Sequence, residues 1–275
     1  MNGAVLALLM VLQGQVSAQD VDRLGTELLS PVLFLTGSGT ITSASPHGKP
    51  FPIPHFDLGG GLNLVYLKAT NPSNGQTFDL LIPYPYLQAE LGLTGGMSLL
   101  PMVGGLGALD LIVRWSPPLR YFGSYQVEDP VGWGVGLKLG ILRDRLIPPI
   151  PGISLTYMHS SWGDLGLAFG TEGQPSYVYT SWRTTTDVLH LDISKNLLFF
   201  TPYVGVAWES GKLEGWFSTV TRQNLAPTPG SPYRASYGRT YLGVILTPFP
   251  LLKALGELSF YAGHISGSLA LKVGI

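Results

Sequence analysis

The sequence predicts an all-β fold: a closed antiparallel transmembrane β-barrel of about ten strands, with eight to twelve allowed, and a short N-terminal helix that plugs or caps its lumen. Three observations carry this. Apolar residues make up 45% of the chain and charged residues only 12%, with a mean hydropathy of +0.26. Beyond the N-terminus no apolar run approaches the ~20 residues that a membrane helix requires. From His55 onward, apolar side chains recur at every second position in segment after segment. An apolar chain without spanning helices has one common way to cross hydrocarbon, a closed sheet whose strands satisfy each other's backbone groups.

The N-terminus predicts export. Residues 4–12 (AVLALLMVL) form an apolar core, and Val16-Ser17-Ala18 supplies small residues for signal-peptide cleavage before Gln19. Residues 1–18 are therefore expected to be a signal peptide, residues 19–54 a helix and plug segment, and residues 55–275 the barrel. Asp20 is expected to cap a helix on which Val21, Leu24, Leu28 and Leu29 recur at helical spacing. Pro31 is expected to interrupt it, and HGKPFPIP resists helix and central strand alike.

The strand series then follows in order. Phe56, Leu58, Leu62, Leu64 and Tyr66 share one parity, opposite Asp57 and Asn63. Leu81, Leu87, Ala89, Leu91 and Leu93 oppose Tyr84, Tyr86, Gln88 and Glu90. Leu109, Leu111, Val113 and Trp115 oppose Asp110 and Arg114. Val131, Trp133, Val135, Leu137, Leu139 and Ile141 oppose Lys138 and a set of glycines, which are expected to make room for the plug. Ile153, Leu155 and Tyr157 oppose Ser154 and Thr156, and Leu189, Leu191 and Ile193 oppose His190, Asp192 and Ser194. Val204, Val206 and Trp208 oppose Tyr203 and Glu209, and Leu242, Val244 and Leu246 oppose Tyr241 and Gly243. The last two segments set Leu258 and Phe260 against Glu257, Ser259 and Tyr261, and Leu269, Leu271 and Val273 against Ser268 and Lys272.

Connection lengths agree with a barrel whose ends both face the periplasm, long outside and short inside. Two connections depart from this: TGGMSLLPMVGG is long for a periplasmic turn, and the His264–Gly267 turn is short for an outer loop. Trp115, Tyr121, Phe122, Tyr157, Trp162, Trp208 and Trp216 lie near strand ends, as interfacial rings do.

The charges on the inward parity are Asp57, Glu90, Asp110, Arg114, Lys138, Asp192, Glu209, Glu257 and Lys272; Asn63 and His190 join them as lumen-facing polar candidates. Both signs are present, so mutual pairing and a closed interior are expected in a narrow barrel. His190 and Asp192 share a face, where a polar lumen contact outweighs a ligand pair. His264 and Ser266 stand two apart, the spacing at which some outer-membrane lipid hydrolases pair base and nucleophile. Flanking glycines identify this stretch instead as a hairpin tip. No catalytic set, metal site or cofactor motif is read from the sequence. Net charge is −1, which gives no electrostatic case for nucleic acid, and the absence of cysteine excludes disulfides and thiol chemistry.

The opening helix, LTGSGTITSASPHGKPF, HFDLGGGLNLVYL, IPYPYLQAELGL, LDLIVRWSP and VGWGVGLKLGILRDRLIPPIPGISLTYMHS together cover roughly residues 20–160. In these segments the chain resembles a family of bacterial outer-membrane β-barrels classed as a domain of unknown function, and more distantly the long-chain fatty-acid transporter family. The resemblance implies a barrel whose N-terminal helix packs inside or across the lumen. It also implies outer-membrane lipid and the barrel assembly machinery as partners, and a small hydrophobic ligand passing a plug. The alternatives are a structural or adhesive barrel acting through its outer loops, and a lipid hydrolase.

Overall fold

The computed structural model describes residues 17–37, 55–100, 103–118, 127–128, 131–145, 149–170, 172–174, 177–219, 225–249, 251–261 and 264–274. The signal-peptide expectation for residues 1–16 and the plug expectation for residues 38–54 lie outside the described residues.

One helix, α1 (Ala18–Gly37), precedes ten barrel strands. These are β1 (Phe56–Thr70), β2 (Thr77–Leu100), β3 (Val103–Ser116), β4 (Val131–Leu142), β5 (Gly152–Phe169), β6 (Val178–Ser194), β7 (Phe200–Thr219), β8 (Tyr233–Phe249), β9 (Leu252–Tyr261) and β10 (His264–Gly274). Each pairs antiparallel with its neighbours in sequence, and β1 pairs with β10, so the ten strands close on themselves and each has a partner on both sides.

The alternation read from the sequence holds along the wall. Leu58, Leu87, Val113, Leu137, Leu191, Val206 and Leu271 are exposed on the outside, while their neighbours are buried inside. On β1 the outward side chains from Phe56 to Tyr66 carry no charge; at about 3.3 Å per residue and a tilt near 45° they span roughly 23 Å, close to the height of an apolar barrel belt. Trp115, Trp133, Tyr157 and Trp208 are exposed on this outer wall. Trp162, expected among the rim aromatics, is instead buried inside, 5.4 Å from the Tyr84 ring. Its position follows from strand parity, which outranks any preference of the ring. Tyr121 and Phe122 lie outside the described residues.

Three further expectations change. TGGMSLLPMVGG is strand for most of its length, because β2 and β3 continue with register shifts after Gly92 and after Met97. Bulges let glycine-rich sequence keep pairing, which removes the over-long periplasmic turn. Pro31 does not end the helix: Val32, Leu33, Phe34 and Leu35 beyond it are buried, and that burial outweighs one lost backbone donor. Asp20 is not the cap. Ser17 is, with Asp20 N–H donating to the Ser17 hydroxyl and the Asp20 carboxylate accepting from Ser17, a reciprocal box that satisfies exposed helix-end donors.

Candidate functional site: the filled lumen

The hairpins joining β1 to β2, β5 to β6 and β7 to β8 lie at one end, termed the outer end following the periplasmic placement of the strand termini. α1 enters there. The Tyr233 hydroxyl donates to Asp22 at 2.7 Å, and the Glu27 carboxylate accepts from the Thr70 N–H at 2.5 Å and the Thr70 hydroxyl at 2.9 Å. At about 1.5 Å per residue the helix is roughly 30 Å long, enough to run from the rim to mid-barrel. The Tyr237 and Tyr261 hydroxyls donate to the Ser30 carbonyl and hydroxyl. The lower end is met by Asn63 Nδ2 on the Leu35 carbonyl at 3.1 Å, by Thr186 against Thr36 at 2.9 Å, and by Arg239 Nη2 on the Gly37 carbonyl at 3.2 Å. The last carbonyls of a helix have no partner within it, and here wall side chains supply donors.

Between those ties the helix packs against an apolar stretch of wall. Val21, Leu24, Leu28 and Leu33 are fully buried and share a core with Val65, Leu67, Leu165, Leu167, Trp182 and Leu213. The fit is close. A Cβ at Gly25 would stand 2.6 Å from the Tyr233 ring and 2.8 Å from Trp182. Among the described residues, the side chains nearest the inward glycines of β4 belong to the wall: Trp162 and Tyr84 beside Gly132, and Met158 and Ser160 beside Gly134.

Below α1 the lumen is polar and laced with ion pairs. In the middle layer Arg239, wholly buried, donates to Glu209 at 2.5 Å, to Glu257 at 3.4 Å and to the Ser259 hydroxyl at 2.9 Å. Tyr203 donates to Glu257 at 3.1 Å, and Tyr241 donates to Asp192. The His190 ring stands 5.7 Å from the same Tyr241 ring, edge to face. Arg114 donates to Gln88 Oε1 at 2.8 Å and lies 4.3 Å over the Tyr86 ring. Nearer the inner end Lys138 bridges Glu90 and Asp110, Lys272 reaches Glu90 at 3.1 Å, and Lys253 reaches Asp57 at 3.0 Å beside His55.

All eleven lumen candidates are buried on the inward parity: Asp57, Asn63, Glu90, Asp110, Arg114, Lys138, His190, Asp192, Glu209, Glu257 and Lys272. The structure gathers Asp57, Glu90, Asp110, Lys138 and Lys272 at the inner end, and Glu209 and Glu257 around a residue the sequence reading missed, Arg239. Arg239 and Tyr237 precede Tyr241, the first residue of the alternation read from the sequence, on a strand that begins at Tyr233; extending that alternation upstream from Tyr241 finds both on the inward parity. His264 and Tyr261 face each other at the last rung of the β9–β10 hairpin, and Ser266 is buried inside, turned away from lipid. A second pair went unnoticed: His159 on β5 and Asp187 on β6, both on the outer wall, 2.9 Å apart.

Comparisons with known proteins return architecture. No protein-family model matches the chain, and a search of the curated proteins returns no match either. Among solved structures it is similar to the Escherichia coli outer-membrane protease OmpT, at 12% identity and a TM-score of 0.38, over 81% of this chain and 96% of that one. It is similar to the translocator domain of the autotransporter NalP of Neisseria meningitidis, at 10% identity and 0.41, over 83% and 90%. It is also similar to the Yersinia pestis attachment invasion locus protein Ail, at 9% identity and 0.33, over 81% and 98%.

Proposed function

We propose that the protein is a plugged barrel of the bacterial outer membrane, exported by a cleaved signal peptide, in which α1 is a removable stopper over an apolar chamber that takes a small hydrophobic molecule. The observation that carries this is the division of the lumen. Its outer half is lined by Val65, Leu67, Leu165, Leu167, Val178 and Leu213 and filled by the apolar side chains of α1. Its middle and inner layers are crossed by buried ion pairs. Water and ions meet a charged, paired barrier, whereas the chamber under α1 offers an apolar guest the surface that the helix now covers.

Removal of residues 19–37 is the test. The shortened protein is expected to bind a hydrophobic fluorescent probe that the parent excludes, and to conduct in planar bilayers when the parent is silent. If the shortened barrel, folded by its gel shift, binds no more probe than the parent, the chamber reading fails and the structural or adhesive reading takes its place.

A further inference from the structure

Two rows of outward side chains cross β5 to β8 just beyond the apolar side chains of those strands. Register sets His159, Asp187, Ser210 and Ser236 directly opposite one another in the first row. In the next, Ser161, Thr185, Lys212 and Arg234 stand opposite one another. The row before them is Tyr157, Leu189 and Trp208, all exposed aromatic or apolar side chains. On β5 and β6 the pair His159 and Asp187 therefore stands where apolar side chains give way to polar ones, which is the depth of the acyl esters of a bilayer lipid.

The geometry points to an acyl-ester hydrolase site on this wall, with Ser161 as nucleophile, His159 as base and Asp187 as the residue that positions the histidine, acting on a phosphate-bearing lipid of the outer leaflet. His159 Nδ1 is 2.9 Å from Asp187 Oδ1, and that carboxylate also accepts the Tyr157 hydroxyl at 2.6 Å. A carboxylate held from one side and bound to Nδ1 on the other leaves Nε2 as the basic nitrogen. Ser161 follows two residues after His159 on the same face, at roughly 6.5–7 Å along the strand, a span that an imidazole and a serine hydroxyl bridge by side-chain rotation. The Trp133 ring flanks the histidine at 5.5 Å. Gly163 presents no side chain beyond Ser161, and a Cβ there would lie 3.4 Å from Arg183 Nε, so a guanidinium stands beside the place where an oxyanion would form.

On the other side of Asp187 an open cleft of about 410 Å³ is lined by Asp187, Ser210, Lys212, Arg234 and Ser236. Strands about 4.8 Å apart put Lys212 roughly 10 Å and Arg234 roughly 14 Å from Ser161, a reach that suits an ester and a phosphate of one lipid. Lys212 is 3.0 Å from Glu214, an exposed pair that a phosphate can compete for.

The step balances. The Ser161 hydroxyl oxygen adds to the ester carbonyl carbon while its proton passes to His159 Nε2. The acyl C–O bond then breaks, and the leaving alcohol takes that proton. Water, deprotonated by His159, adds to the acyl-Ser161 carbonyl, and the serine leaves as its hydroxyl, releasing the fatty acid.

The test uses the full-length protein in mixed micelles with two substrates separately, a diacyl glycerophospholipid and lipid A, and measures free fatty acid. Release in either arm that Ser161→Ala or His159→Ala lowers by at least about 100-fold supports the site and names its lipid. Asp187→Asn is expected to lower kcat by about 10²–10⁴-fold with KM kept, whereas Lys212→Ala and Arg234→Ala are expected to raise KM by roughly tenfold with kcat kept. A fluorophosphonate should label the parent at Ser161, and each variant should keep the gel shift of the folded barrel. The proposal is overturned by absence of both release and Ser161 labelling in the parent, or by release that survives Ser161→Ala. Neither result touches the chamber under α1, which shares no residue with this site.

Discussion

Replacing Arg239 with Ala tests how the barrel holds its stopper. The side chain is wholly buried and donates to Glu209, Glu257, Ser259 and the Gly37 carbonyl. Its loss leaves two carboxylates buried beside each other and a helix-end carbonyl without this donor. Breaking a buried ion pair from one side typically costs about 3–5 kcal/mol, because the stranded charge keeps its desolvation penalty without its attraction. At about 1.4 kcal/mol per decade, that is roughly a 10²–10⁴-fold shift towards the unfolded state. With a urea dependence of about 1–3 kcal/mol per M, the midpoint should fall by roughly 1–5 M. The assay is a urea titration of the barrel in liposomes, followed by tryptophan fluorescence and gel shift. The triple variant Arg239→Ala, Glu209→Gln, Glu257→Gln should recover part of the loss, since neutral amides have no charge to strand. A midpoint within about 0.3 M of the parent would refute the reasoning, since at that slope it is a change of less than about 1 kcal/mol. So would a triple variant as unstable as the single one.

Two other perturbations separate the parts of the fold. Gly25→Val should lift the outer end of α1 off Tyr233 and Trp182, raising the rate of proteolysis within residues 18–37; a rate equal to the parent's would show that the fit there is loose. Leu137→Arg, in mid-belt, should destabilise the barrel by about 2–4 kcal/mol through a charge placed in hydrocarbon. An unchanged urea midpoint for that variant would mean that this face of β4 does not meet lipid.

The architecture was legible because a strand in a barrel wall has only two faces and two solvents. Leu58 and Asp57, Leu137 and Lys138, Leu191 and Asp192 each declare their side from local sequence alone. The same rule placed all eleven polar candidates on the inward parity. It failed where the segments were drawn too short. Arg239 stands just upstream of Tyr241, where the reading of that strand began, and TGGMSLLPMVGG reads as a turn because its bulges break the strict period. Pro31 misled for a different reason: helix propensity is a local quantity, and the burial of Val32 to Leu35 against the wall is not.

Sequence by itself determined that the chain is a membrane-spanning barrel, which side chains face lipid, and that an N-terminal helix accompanies it. Tertiary structure decided who meets whom. Arg239 with Gly37, Glu27 with Thr70, Lys272 with Glu90, and His159 with Asp187 join residues on different elements, from 28 to 202 positions apart. The reason is physical: period two fixes a direction for each side chain, whereas partnership depends on barrel closure and on the register of each strand pair, which are properties of the whole sheet.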